Sequence, residues 1–181
     1  YNNQGESAVA IGYTSGGLNQ GLDSVAIGTA AGQTSQDDYS VAIGFEAGYS
    51  NQRSKSVAIG YQAGYTGQQQ YTVAIGNEAG RTNQANAAVA IGYQAGYTGQ
   101  QTGAIAMGFG AGSFKQGPNA VAIGNVAGYT GQNEFAIAMG IYAGSLNQGQ
   151  NAVAIGYQAG LGGQGTGSVA IGQDAGFNTQ G

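Results

Sequence analysis

The stretch SVAIGYQAGYTGQQQY, Ser56 to Tyr71, returns almost unchanged from Ala88 as AVAIGYQAGYTGQ, and variants of it fill the chain. Aligned on the VAIG core, Ala8, Ser24, Ser40, Ser56, Thr72, Ala88, Ala104, Ala120, Ala136, Ala152 and Ser168 each stand 16 residues after the last, without insertion. A fixed period of this size marks a solenoid, in which each unit is one coil that stacks on its neighbours because it cannot bury a core alone. The expected fold is all-β: a parallel β-solenoid, or β-roll, with a 16-residue coil repeated about eleven times as a single array over residues 1–181. The array opens at Tyr1 in phase with Tyr49 and closes in mid-repeat at Gly181, so a segment of a longer chain is expected.

Numbering each coil from the residue before VAIG, positions two to four read Val-Ala-Ile or, at Ile105-Ala106-Met107 and Ile137-Ala138-Met139, Ile-Ala-Met. Alternation with period two and β-branched residues on one face predicts a strand. If Val and Ile point inward, the outward stripe is Ala10, Ala26, Ala42, Ala58, Ala74, Ala90, Ala106, Ala122, Ala138, Ala154 and Ala170. A solvated strand face carries larger polar residues in some coils, so this stripe is read as a subunit-packing surface. Two aliphatic residues per coil also make a thin core that invites support from another chain.

Position five is always Gly (Gly12 to Gly172), as is position nine (Gly16 to Gly176), which predicts corners or close backbone approaches. Position twelve, Asn at Asn3, Asn19, Asn51, Asn83 and Asn147 and Gly at Gly67, Gly99, Gly131 and Gly163, predicts a further corner with positive φ. Ser35, Lys115 and Thr179 depart from that pattern. Position thirteen is Gln throughout, from Gln4 through Gln20, Gln36, Gln52, Gln68, Gln84, Gln100, Gln116, Gln132, Gln148 and Gln164 to Gln180. It reads as a structural amide ladder, each side chain bonding its counterpart one coil away, in preference to a polar ligand-contacting row. Aromatic residues recur at positions six and ten. Tyr13, Tyr49, Tyr61, Tyr65, Tyr93, Tyr97, Tyr129 and Tyr157 make a candidate binding face for protein or carbohydrate, and equally a stack that stiffens the roll.

Composition narrows the chemistry. The chain has 181 residues, 37 of them Gly, with neither Cys nor His, and four basic residues against eight acidic, a formal net charge of −4. Nucleic-acid binding needs clustered Lys and Arg, so no nucleic-acid partner is expected. Without Cys or His there is no disulfide framework, no thiol or imidazole nucleophile, and no common transition-metal site. Glu46 and Glu78 share position seven two coils apart, about 10 Å at ~4.8 Å per coil, with Gln62 between them; they read as a surface column, and Asp37-Asp38 as a solvated turn. No enzyme activity, cofactor, metal or membrane contact by this segment is expected.

These columns resemble the head of the trimeric autotransporter adhesins, the YadA-like left-handed parallel β-roll whose repeats carry an SVAIG core. Ser24 to Gly28, Ser40 to Gly44, Ser56 to Gly60 and Ser168 to Gly172 match it outright, with near matches in every other coil. The resemblance implies a left-handed roll, a homo-trimer, and a cell-surface segment that binds extracellular-matrix protein, carbohydrate or like fibres. Similar repeats occur in fibre proteins of viruses and phages, which makes a virion fibre the alternative. An ice-binding solenoid is a third reading, from Thr34, Thr66, Thr82, Thr98 and Thr130 at position eleven, although Leu18, Phe114, Leu146 and Gly162 interrupt that row.

Overall fold

The computed structural model describes residues 2–179, so Tyr1, Gln180 and Gly181, counted above in the aromatic column, the Gln column and the array's end, lie outside the described residues. Among the described residues there is no helix, and each coil contributes its VAI segment to one eleven-stranded parallel sheet running from Val9–Ile11 to Val169–Ile171. Pairing is in register at 16 residues, as in Val89↔Ile105, Ala90↔Ala106 and Ile91↔Met107. A second, narrower parallel ladder forms at positions eleven to thirteen. It is four-stranded from Asn2–Gln4 to Ser50–Gln52, continues through the bridges Ser50↔Thr66, Thr66↔Thr82, Thr82↔Thr98 and Thr98↔Phe114, and resumes where Phe114–Gln116 pairs with Thr130–Gln132. Each coil is thus a flattened ring of two short strands closed by turns. The chain is a parallel β-solenoid, as its 16-residue period predicts.

The direction of the strand faces is reversed from expectation. Ala26, Ala42, Ala58, Ala74, Ala90, Ala106, Ala122, Ala138 and Ala154 are fully buried inside the single chain and Ala170 nearly so, with Ala10 half-buried. The flanking Val and Ile are half-buried or exposed, with Met107 38% and Met139 39% exposed. The Ala stripe is therefore core, not a surface on which subunits pack. The reason is the thinness of the coil. A Cβ added at Gly96 would lie 2.6 Å from Gln100 Oε1, and one at Gly80 would lie 3.2 Å from the Cβ of Ala74. Position nine thus faces position three at a separation that admits a methyl group and nothing larger. Ala at position eight, including Ala79, Ala95 and Ala111, fills the rest of this layer together with Ala90, Ala106 and Ala122.

Glycine answers two local needs. At position five, a Cβ on Gly92, whose φ is +125°, would meet the carbonyl oxygen of Gly108 at 2.6 Å, so coils could not stack at strand spacing. At position nine, Gly96 has φ +52° and leaves the space that the Gln100 amide occupies. Position twelve has positive φ as expected, and Ser35 (φ 54°) and Lys115 (φ 56°) adopt it despite their side chains. Positions seven and sixteen are also left-handed in nearly every coil, as at Gln94 (50°) and Ala87 (57°). The composition of position seven gives no sign of it, whereas position sixteen carries Asp23, Gly103, Asn119, Asn151 and Gly167, residues that favour this region. Thr14 (φ 54°) and Val126 (φ 58°) are strained there, since a branched Cβ crowds the neighbouring carbonyl in that region.

Candidate interaction surfaces

The inward face is built on the Gln column. Gln100 Nε2 donates to Val89 O at 2.8 Å, to Ala104 O at 3.2 Å and to Gln116 Oε1 at 3.1 Å. Its own Oε1 accepts from Gln84 Nε2 at 3.2 Å. The same amide-to-amide bonds link Gln36 to Gln52, and run without a break from Gln68 through Gln84, Gln100, Gln116, Gln132 and Gln148 to Gln164. From Gln36 to Gln148 these are the largest fully buried side chains of the molecule, and Gln20 and Gln164 are nearly as deep. An inward, solvent-free amide cannot touch a ligand, and each spans the coil to tie the narrow ladder to the wide one. The Oε1 atoms of Gln20, Gln36 and Gln68 have no donor, which marks where the ladder is interrupted.

On the outside, the aromatic columns pair with themselves. Phe45 stacks on Tyr61 at 5.4 Å between centroids, Tyr49 on Tyr65 at 4.9 Å and Tyr93 on Phe109 at 5.0 Å, all within 15° of parallel. Tyr97 and Tyr129 meet Phe114 edge-on from either side. Between Tyr65 and Tyr97 the guanidinium of Arg81 stands in for a ring, 5.1 and 5.7 Å from the two centroids. It also bonds Gln62 Oε1 and the Tyr97 hydroxyl, and lies 3.6 Å from Glu78. A planar cation continues a π-stack because it is attracted to both ring faces. Burial, with Glu46 and Tyr49 nearby, raises the Tyr65 hydroxyl above its ordinary pKa against the opposing pull of Arg81. Tyr13 and Tyr157 remain exposed without a ring contact of this kind among the described residues.

The paired rings along the solenoid keep much of their surface for one another. Replacing Tyr65 and Tyr97 together with Ser is expected to retain the β spectrum but lower stability by about 2–4 kcal/mol, since it removes two ring pairs and both cation contacts. An unchanged melting midpoint would show that these rings do not stiffen the roll.

The carboxylates have local partners. Gln62 Nε2 donates to Glu46 at 2.6 Å and Gln94 Nε2 to Glu78 at 2.8 Å; Asp38 accepts from the Leu22 amide at 2.8 Å, and Asp37 faces Arg53 at 3.6 Å. Along position eleven the Thr residues are only half-exposed.

The surface that sequence reasoning missed is the outer side of the wide sheet, two continuous columns of Val or Ile and Ile or Met over eleven coils. One signal could have found it. Positions two and four accept Val or Ile and Ile or Met, whereas position three never changes, as expected of the face with no spare volume. The family model for the YadA head domain repeat matches two copies, over residues 20–47, 100–127 and 148–160. The chain resembles a YadA head. The matched stretches contain both the strand, read as SVAIG, AVAIG or AIAMG, and the Gln of position thirteen, the parts that build the coil. No curated protein and no solved structure matches the chain. In this YadA-like roll the small residues fill the coil and the large aliphatic ones clothe its outside.

Proposed function

We propose that the chain is a non-enzymatic, extracellular fibre segment of an adhesin head, in which identical copies pack in parallel through the Val/Ile face and leave the aromatic columns of position ten toward partners. The observation that carries this reading is the continuous outer aliphatic face, half-buried in most coils and exposed at Met107, Met139 and the two end coils. Eleven coils at ~4.8 Å give two aliphatic columns about 50 Å long and about 7 Å apart. A contiguous apolar stripe of this length marks an interaction surface. The trimer and the cell-surface setting come from the YadA likeness, as does attachment to matrix protein, carbohydrate or like fibres.

Lysines at Ile75 and Ile91 together test the packing. Both side chains point outward, so the variant is expected to keep its β spectrum while light scattering shows the mass falling to that of one chain. An oligomer of undiminished mass would overturn the assignment of this face.

A further inference from the structure

From Gln20 to Gln148 each buried amide donates to the carbonyls eleven residues before it and four after it, as Gln100 does to Val89 and Ala104, with one exception. Gln68 Nε2 lies 3.2 Å from Val57 O, against 2.7 Å at Gln116 and 2.9 Å at Gln84, and none of its bonds goes to Thr72 O. Its Oε1 has no donor, so Gln52 and Gln68 are not joined. The Oε1 atoms of Gln20 and Gln36 also lack donors, but those two amides keep both carbonyl bonds. What sets Gln68 apart is the residue four places on. Position one is Ser or Ala in every other coil, and Thr72 alone carries a γ-methyl group there. Thr72 is fully buried with its hydroxyl held on Gln69 O at 3.0 Å, so the methyl group lies inside the ring.

The outside of the same junction is clasped. Between coils 40–55 and 56–71, Phe45 stacks on Tyr61, Tyr49 stacks on Tyr65, and Lys55 Nζ lies 5.5 Å from the centroid of Tyr71. Among the described residues no other junction carries two stacked ring pairs. Beyond it the amide ladder is unbroken from Gln68 to Gln164, whereas before it only the bond from Gln36 to Gln52 is made. We propose that the Thr72 methyl group displaces the Gln68 amide and makes the boundary between Lys55 and Ser56 the plane at which the roll opens, with the outer rings as its clasp. Each coil of a solenoid is held only by its neighbours, and local opening starts where the fewest buried bonds must break. The coils up to Lys55 therefore open as a unit while those from Ser56 stay wound. Such a fibre yields at one place and keeps the rest of its length.

Trypsin reads this opening directly, because the chain's four basic residues are Arg53 and Lys55, both exposed beside the junction, and Arg81 and Lys115 beyond it. Cleavage of a transiently opened segment follows its open population. Phe45→Ala with Tyr49→Ala removes both ring pairs of the clasp, and is expected to speed cleavage after Arg53 and Lys55 at least tenfold while cleavage after Lys115 changes less than twofold. Adding Thr72→Ser, which deletes the methyl group and keeps the hydroxyl, is expected to bring the rate back to within threefold of the native chain. Tyr93→Ala with Tyr97→Ala removes two ring pairs where Gln100 bonds Gln116, and is expected to speed cleavage after Lys115 less than threefold. Thr72→Ser alone is expected to slow cleavage after Arg53 and Lys55 at least threefold. A methyl group that only filled space would give the opposite sign, since truncating a packed core side chain destabilises. Unchanged or faster cleavage in Thr72→Ser, no acceleration on loss of the clasp, no rescue by Thr72→Ser, or equal acceleration at the Gln100 junction would each overturn the proposal.

Discussion

Lysine in place of Ala74 is expected to abolish the fold of the coils around it, with loss of most of the β circular dichroism signal and rapid cleavage by protease at room temperature. Ala74 is fully buried, and the Cβ of a residue at position nine of the same coil would already lie 3.2 Å from its methyl group. A butyl-ammonium chain has nowhere to go inside the ring. Overpacking costs about 1–3 kcal/mol, and burying an unpaired ammonium costs several kcal/mol more. The sum is comparable to the ~5–15 kcal/mol that holds a typical domain together. In a solenoid the damage also breaks both nearest-neighbour interfaces of the affected coil. Asn86→Lys, at an exposed turn of the same coil, is the matched control and is expected to leave the melting temperature unchanged. A folded Ala74→Lys protein that merely dissociates would return the Ala stripe to the surface and refute the inward assignment. Together with the outward lysines at Ile75 and Ile91, the comparison separates collapse from dissociation one residue apart on the same strand.

Gln100→Ala is expected to lower stability by about 3–4 kcal/mol. The Gln100 side chain is fully buried, so truncation leaves a cavity of the kind that costs about 2–5 kcal/mol for a side chain of similar length. It also removes the donor to Gln116 Oε1 and the acceptor of Gln84 Nε2, and a buried polar atom left unpaired costs about 1–3 kcal/mol. The lower part of the combined range is expected because the array already holds unpaired amide oxygens at Gln20, Gln36 and Gln68. Gln100→Glu keeps the volume but replaces the donor with a carboxylate aimed at the carbonyls of Val89 and Ala104. Burial raises that carboxyl's pKa, so its penalty shrinks as pH falls through the raised value and the neutral acid forms. Chemical denaturation at neutral and at low pH reads both effects. Wild-type stability in Gln100→Ala would show that the column contributes nothing to the fold.

Periodicity alone determined that this chain is a parallel solenoid. Identical residues at a spacing of 16 leave stacked coils as the arrangement that gives every unit the same environment, and the Val-Ala-Ile alternation placed the strand within a coil. The position-twelve corner was equally legible, because Asn and Gly announce positive φ. The corner at position seven was not, and that at position sixteen was signalled only in some coils, by Asp23, Gly103, Asn119, Asn151 and Gly167. Gln94, Ala87 and Val126 have no preference for that conformation, and they adopt it because the closure of the ring leaves them no other. The sequence did identify an inward and an outward set on the strand, but alternation is symmetric under exchange of faces. Hydrophobicity then favoured Val and Ile as the core. Only the tertiary structure decided against it, through the distance between the two walls of the coil. A ring of 16 residues is too narrow for two opposed aliphatic layers, so Ala26 to Ala170 and the Gln amides fill it and the larger Val and Ile side chains are displaced to the outside.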